Sequence, residues 1–95
     1  MIASFAHKGL ERFSRSGSPS GVKYSHIPRL KVILSQLKKA KTPFEIKDAS
    51  LHSIARASGN QRGNYSLKVN ANWRVTFRFD QRSQSMFDVD YVDYH

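Results

Sequence analysis

The chain predicts an α+β domain, and three observations carry that expectation. An apolar stripe of helical period runs through "SHIPRLKVILSQLKKAK", two-residue alternation marks three later segments, and 95 residues suffice for one domain with one small core. Hydrophobic residues make up 39% and aromatics 12%. That is enough to fold alone but too little to enclose a deep cavity, so a shallow surface site is expected.

The first element is "IASFAHKGLERF", where Ala6, Leu10 and Phe13 fall at helical spacing behind an extended start. "SRSGSPSG" then breaks it with Ser, Gly and Pro. Ser25 suits the N-cap of the next helix, and Pro28 sits in its first turn, where a missing N–H costs little. Ile27, Leu30, Ile33, Leu34 and Leu37 form the apolar stripe, while Arg29, Lys31, Lys38, Lys39 and Lys41 make a basic outer face. "TPFE" reads as a capping box, with Thr42 at N-cap, Pro43 at N1 and Glu45 at N3. "SLHSI" is a short strand candidate, followed by the Gly, Asn and Arg of "RASGNQRGN".

The second half alternates. Tyr65, Leu67 and Val69 share one face; so do Trp73, Val75, Phe77 and Phe79, and again Phe87, Val89 and Tyr91. This is the pattern of a half-buried antiparallel meander. A three-residue loop, Asn70 to Asn72, pairs Val69 with Trp73 and keeps both faces consistent. The opposite face carries Lys68, Arg74 and Arg78, then Asp88 and Asp90. Placing Phe79 opposite Phe87 sets Arg78 opposite Asp88, a pairing worth a few tenths to about 1 kcal/mol.

Charge narrows the partners. Sixteen Lys and Arg oppose seven Asp and Glu, for a formal net charge of +9. Three of the acids, Asp88, Asp90 and Asp93, lie in the last eight residues, so residues 1–82 hold 16 basic against 4 acidic side chains. Such a field favours polyanions, nucleic acid above all. There is no cysteine, hence no disulfide and no thiolate zinc site. Apolar runs are too short for a membrane span, and the N-terminus lacks signal-peptide architecture, so a cytoplasmic protein without a membrane partner is expected.

The acidic ending "DVDYVDYH" either neutralises the arginine face or takes part in chemistry. RNA cleavage without a metal needs a base for the attacking 2′-hydroxyl, an acid for the leaving 5′-oxygen and cations for the phosphorane charge. His95 is best matched to proton transfer near neutral pH. Asp93 can orient it or act as base, and Tyr94 can stack or donate a proton. Arg74 and Lys68 suit the phosphate, with Arg56 and Arg62 supplied by the loop before the meander and Arg78 further along the same face. Asp93 and His95 offer too few ligands for a specific metal site. No HExxH, phosphate-binding glycine loop or G-x-S-x-G element is present. Neither metal nor cofactor is expected.

Together, "SFAHKGLERF", "GNYSLKVNANWRVTFRF" and "DVDYVDYH" resemble the HigB branch of the RelE/ParE toxin superfamily across nearly the whole chain. The resemblance implies a RelE-like fold, two to three N-terminal helices packed on a curved, mainly antiparallel sheet. It implies a toxin of a type II toxin–antitoxin pair that cleaves mRNA on the ribosome. Its partner would be a helix-turn-helix antitoxin of the HigA kind, through which the complex reaches operator DNA. The family arginine after N-W falls on Arg74, and the D-Y-H ending on Asp93, Tyr94 and His95. One departure stands out. Many members carry L-H-P-L-K-G-D before the core. Here an ungapped count from Gly59 puts Ser58 at the lysine position and Ala55 at the histidine position. His52 reaches the family histidine only through an insertion of about three residues. The departure leaves two other expectations open: a ParE-like inhibitor that binds a topoisomerase without chemistry, or a weakened toxin acting mainly in co-repression with its antitoxin.

Overall fold

A computed structural model describes residues 1–53 and 64–94. Arg56, Arg62 and His95, three of the candidate site residues, lie outside the described residues. Among the described residues, two helices, α1 (Lys8–Ser16) and α2 (Ile27–Lys39), precede four strands: β1 (His52–Ser53), β2 (Asn64–Lys68), β3 (Trp73–Asp80) and β4 (Ser85–Asp93). The strands form one antiparallel sheet in the order β1-β2-β3-β4. The α+β expectation with helices ahead of an antiparallel sheet is met.

Helix α1 begins where His7 accepts the Leu10 N–H on Nδ1 at 2.9 Å. It ends at Gly17, whose φ of 81° is open to glycine and which donates its N–H to the Phe13 carbonyl. Glycine is demanded for a different reason at Gly9. A Cβ built there would sit 2.7 Å from both Cα and O of Gly21, so α1 and the following loop touch backbone to backbone.

Helix α2 buries Leu30, Ile33, Leu34 and Leu37 and leaves Ile27 half-buried, so the stripe read from the sequence is the packed face. Its entry differs from expectation. Ser25 is not the N-cap: a 3-10 turn over Tyr24–His26 runs straight into the helix, and His26 occupies the cap position. The capping box at Thr42 is also shifted. A 3-10 turn forms over Pro43–Glu45, but Glu45 reaches back to the N–H of Lys41 at 2.9 Å, and Thr42 makes no side-chain cap bond.

The core is a single cluster in which Leu10, Phe13 and the α2 stripe meet Leu67, Val75, Phe77, Met86, Val89 and Tyr91 from the sheet. Burying each large apolar side chain contributes about 1.5–3 kcal/mol. The β2–β3 hairpin has the expected three-residue loop: Lys68 pairs with Arg74, and the Val69 N–H donates to the Trp73 carbonyl at 2.9 Å.

The β3–β4 register corrects the sequence reading. Phe79 faces Met86 rather than Phe87, and Arg78 faces Phe87 rather than Asp88. A bulge lies between these pairs and the Thr76–Asp90 pair, with Asp88 at φ 52°. One extra residue on a strand reverses its alternation, so Met86, and not Phe87, lies in the core with Val89 and Tyr91. The extended N-terminus runs parallel along this edge, bridging Ile2 to Met86 and Phe5 to Val89. Ser4 Oγ takes the Asp88 N–H at 2.9 Å, so the irregular peptide keeps a partner.

Candidate functional site

The face of the sheet away from the helices carries His52, Ser66, Lys68, Arg74, Thr76 and Arg78 by register. At the end near the β2–β3 turn it forms an open concavity of about 460 Å³, lined by Ser50, His52, Ser66, Lys68, Arg74 and Tyr94. Four separate segments therefore bring an imidazole, an ammonium, a guanidinium and a phenol together. A groove of similar size between α1 and α2 is lined by lysines, serines and apolar side chains, with no group suited to proton transfer near neutral pH.

Each side chain has a local reason for its place. Arg74 folds back over its own turn, with Nη1 donating to the carbonyls of Asn70 at 2.7 Å, Trp73 at 3.1 Å and Ala71 at 3.3 Å. Its guanidinium carbon lies 5.8 Å from the centroid of the Tyr94 ring. Tyr94 is 50% exposed and is held by its own N–H, which donates to the Asn72 carbonyl at 2.6 Å. The arginine is thus oriented while most of its donor set still faces the concavity.

Lys68 is placed from behind. Ser50 Oγ accepts the Lys68 N–H at 2.9 Å, and Arg29 Nε donates to the Lys68 carbonyl at 2.8 Å. Arg29 Nη1 also pairs with Asp48 at 2.8 Å, and Asp48 accepts from the N–H and hydroxyl of Ser50. The Arg29 hydrogen bond, helped by those from Ser50, holds the Asp48 carboxyl far below the usual carboxylate range despite its burial. Arg29 is therefore a clamp between α2, the 48–50 segment and β2, not part of a solvated basic face.

The other candidates separate. Arg78 lies four residues along β3 from Arg74, about 13 Å at strand rise. There it sits over the Phe87 ring at 4.9 Å and pairs with Asp88 at 3.5 Å. The anticipated ion pair exists, but it forms diagonally across the bulge, and both side chains stay about half exposed. Asp93 pairs opposite Trp73, on the parity of Val89 and Tyr91, so it belongs to the helix-facing side rather than to the face of Arg74. Its charge acts on His26 and Tyr91.

On that side Trp73 is half-buried, its ring 4.4 Å from Tyr91 and 5.5 Å from His26. His26, only 4% exposed, bonds Tyr91 Oη through Nδ1 and Asn70 Nδ2 through Nε2. Burial, then the nearby Lys23, lowers its pKa, with Asp93 opposing. Burial also raises that of Tyr91.

His52 is the site residue that counting along the chain missed. It arrives by strand pairing, opposite Ser66. The "SLHSI" strand signal was the available clue, because an antiparallel edge strand brings its outward residues to the same face however many residues separate it from its partner. Among the described residues, no group of three His, Cys, Asp or Glu could hold a metal ion, and no helix is long and apolar enough to cross a membrane.

Comparison with known proteins puts a class on this arrangement. Over residues 3–95 the chain matches the family described as the RelE-like toxin of the type II toxin–antitoxin system HigB. It belongs to that HigB-like toxin family and is accordingly the toxin member of a type II toxin–antitoxin pair. It is similar to the Endoribonuclease HigB of Proteus vulgaris, with 33% identity over 95 residues, 100% of both chains.

Proposed function

We propose that this toxin is an endoribonuclease that cleaves mRNA on the ribosome by attack of the 2′-hydroxyl on the adjacent phosphate. The observation that carries the reading is the concavity in which His52, Lys68, Arg74 and Tyr94 converge from separate segments. The name of the Proteus vulgaris relative supports it.

The chemistry follows from the side chains. Arg74, oriented by three carbonyls, presents its remaining N–H groups to the scissile phosphate and to the charge that grows on it. Lys68 adds a second cation. An imidazole takes the proton of the 2′-hydroxyl and an acid returns one to the leaving 5′-oxygen; His52 and His95 are the two imidazoles for these roles. Tyr94 stacks on a base beside the cut or donates a proton. This set supplies base, acid and countercharge from the protein, so the proposed cleavage requires no metal. Arg56, Arg62 and Arg78 extend the phosphate track.

The open, shallow site offers few contacts to fix an RNA strand in an in-line geometry. A ribosome that already holds the mRNA would supply that order, and the net charge of +9 favours docking on its RNA. The cytoplasm is where both would meet. The antitoxin would be a HigA-like helix-turn-helix protein that brings the toxin to operator DNA.

The test is cleavage of a defined mRNA on programmed ribosomes by parent, Arg74→Ala and His52→Gln proteins. The toxin alone is treated with EDTA and desalted beforehand, since ribosomes need magnesium. Cleavage by the parent, with both variants crippled and folded, is the expected result. No cleavage by a parent that still arrests growth would overturn the reading in favour of a binding inhibitor.

A further inference from the structure

The turn at Asn70–Asn72 is built to hold Arg74 and Tyr94, and one side chain organises it. Asn70 Oδ1 accepts the N–H groups of Asn72 and Trp73, each at 3.0 Å. Those two bonds determine which end of the amide is oxygen, since the reverse would press NH2 against two further donors. The Nδ2 end therefore points to His26 Nε2 at 2.8 Å and donates to it. A buried imidazole that accepts on Nε2 must carry its proton on Nδ1, which donates to Tyr91 Oη. Tyr91 Oη also accepts the Lys23 N–H at 3.3 Å. The backbone of the same turn does the rest. The Asn70 and Ala71 carbonyls receive Arg74 Nη1, and the Asn72 carbonyl receives the Tyr94 N–H.

We propose that Asn70, locked by the Nδ1–H tautomer of His26, is a positioning residue that sets the placement of Arg74 and Tyr94 for catalysis. It need not touch RNA. It ties the turn that carries the site to a buried anchor on the opposite side of the sheet, and the claim rests on Arg74 and Tyr94 forming the cleavage site. Displacing a catalytic group by about 1 Å can cost on the order of a hundredfold in rate. Truncating Asn70 should therefore act on the chemical step rather than on ribosome binding.

Single-turnover cleavage on programmed ribosomes, with ribosome binding measured separately, should be compared for parent, Asn70→Ala, Asn70→Asp and Arg74→Ala. Asn70→Ala is expected to lose roughly a hundredfold in rate with unchanged binding. Asn70→Asp keeps an oxygen that can accept both N–H groups, so it should recover most of that loss. The aspartate cannot donate to Nε2, so the 15N spectrum of His26 should change from the Nδ1–H form in the parent to an Nε2-protonated form. Parent-like cutting by folded Asn70→Ala, with Arg74→Ala inactive, would overturn the positioning role alone. Parent-like cutting by Arg74→Ala would instead remove the site on which it rests. Should Asn70→Ala fail to fold, the parent spectrum still decides, because an Nε2–H tautomer there breaks the proposed link.

Discussion

Arg74 and Asp93 sit on neighbouring strands one position out of register and face opposite sides of the sheet: Arg74 pairs with Val92, and Asp93 with Trp73. Two groups that a linear reading assigns to one catalytic cluster thus have different surroundings. Arg74 lies in the open concavity with Tyr94. Asp93 acts on the buried His26 and Tyr91.

Arg74→Lys tests whether charge alone is enough at this position. Lysine keeps the cation but cannot brace on three carbonyls and still present a planar fork to phosphate. Loss of charge-assisted hydrogen bonds of about 1.5–3 kcal/mol corresponds to a cleavage rate lower by roughly ten- to a hundredfold. Thermal unfolding should be nearly unchanged, because the site is at the surface. A fully active lysine variant would show that the fork has no role.

His52→Gln separates chemistry from folding in another way. His52 is exposed on an edge strand, so its loss should leave the unfolding temperature within a degree or two, as for most surface substitutions. Its removal as acid or base should lower cleavage by about a hundredfold or more. One limb of the pH–rate profile should flatten as well. An unaltered profile in a folded variant would exclude His52 from proton transfer.

Asp48 makes stability depend on acid. Its folded pKa is depressed, chiefly by the Arg29 hydrogen bond, so its contribution is fully present above the ordinary carboxylate pKa. That contribution drains away as pH falls below the ordinary value toward the depressed one. Asp48→Asn should therefore cost about 2 kcal/mol at pH 7, the scale of a hydrogen bond to a charged group, and progressively less in acid. Urea unfolding of both proteins from pH 7 down to pH 2 would show it. A gap of constant size at every pH would contradict the assignment.

Gly9→Ala is informative through its sign. On an open helix face alanine would stabilise by about 1 kcal/mol relative to glycine. Here the new Cβ would lie 2.7 Å from the Gly21 backbone, so the loop must move, at a typical cost of about 1–3 kcal/mol. The contact should win and the unfolding temperature should fall by several degrees. A rise would mean that α1 and the Gly21 loop are not in contact.

Much of this architecture was legible from period and punctuation. The α2 stripe from Leu30 to Leu37 is the buried face, and the Asn70–Asn72 loop follows from keeping Val69 and Trp73 on one side. Both depend on neighbours within a few residues, where sterics and alternation dominate. The misreadings share another cause. Arg29 looked like one more outward cation, but Asp48, Ser50 and the Lys68 carbonyl converge on it from elsewhere in the chain. Phe87 looked like a core residue because a bulge at Asp88 leaves no unmistakable mark in an alternating string.

By itself, the sequence determined an α+β fold, a basic surface, and Arg74 and Lys68 on one face of a meander. Those outcomes are set by local periodicity and by charge, which each segment carries alone. Only the tertiary structure decided that His52 joins Arg74 and that Asp93 turns toward His26. It also decided that Asn70 links the two sides. Each of these depends on strand pairing and on contacts between distant segments, which long-range packing selects and no short stretch of chain encodes.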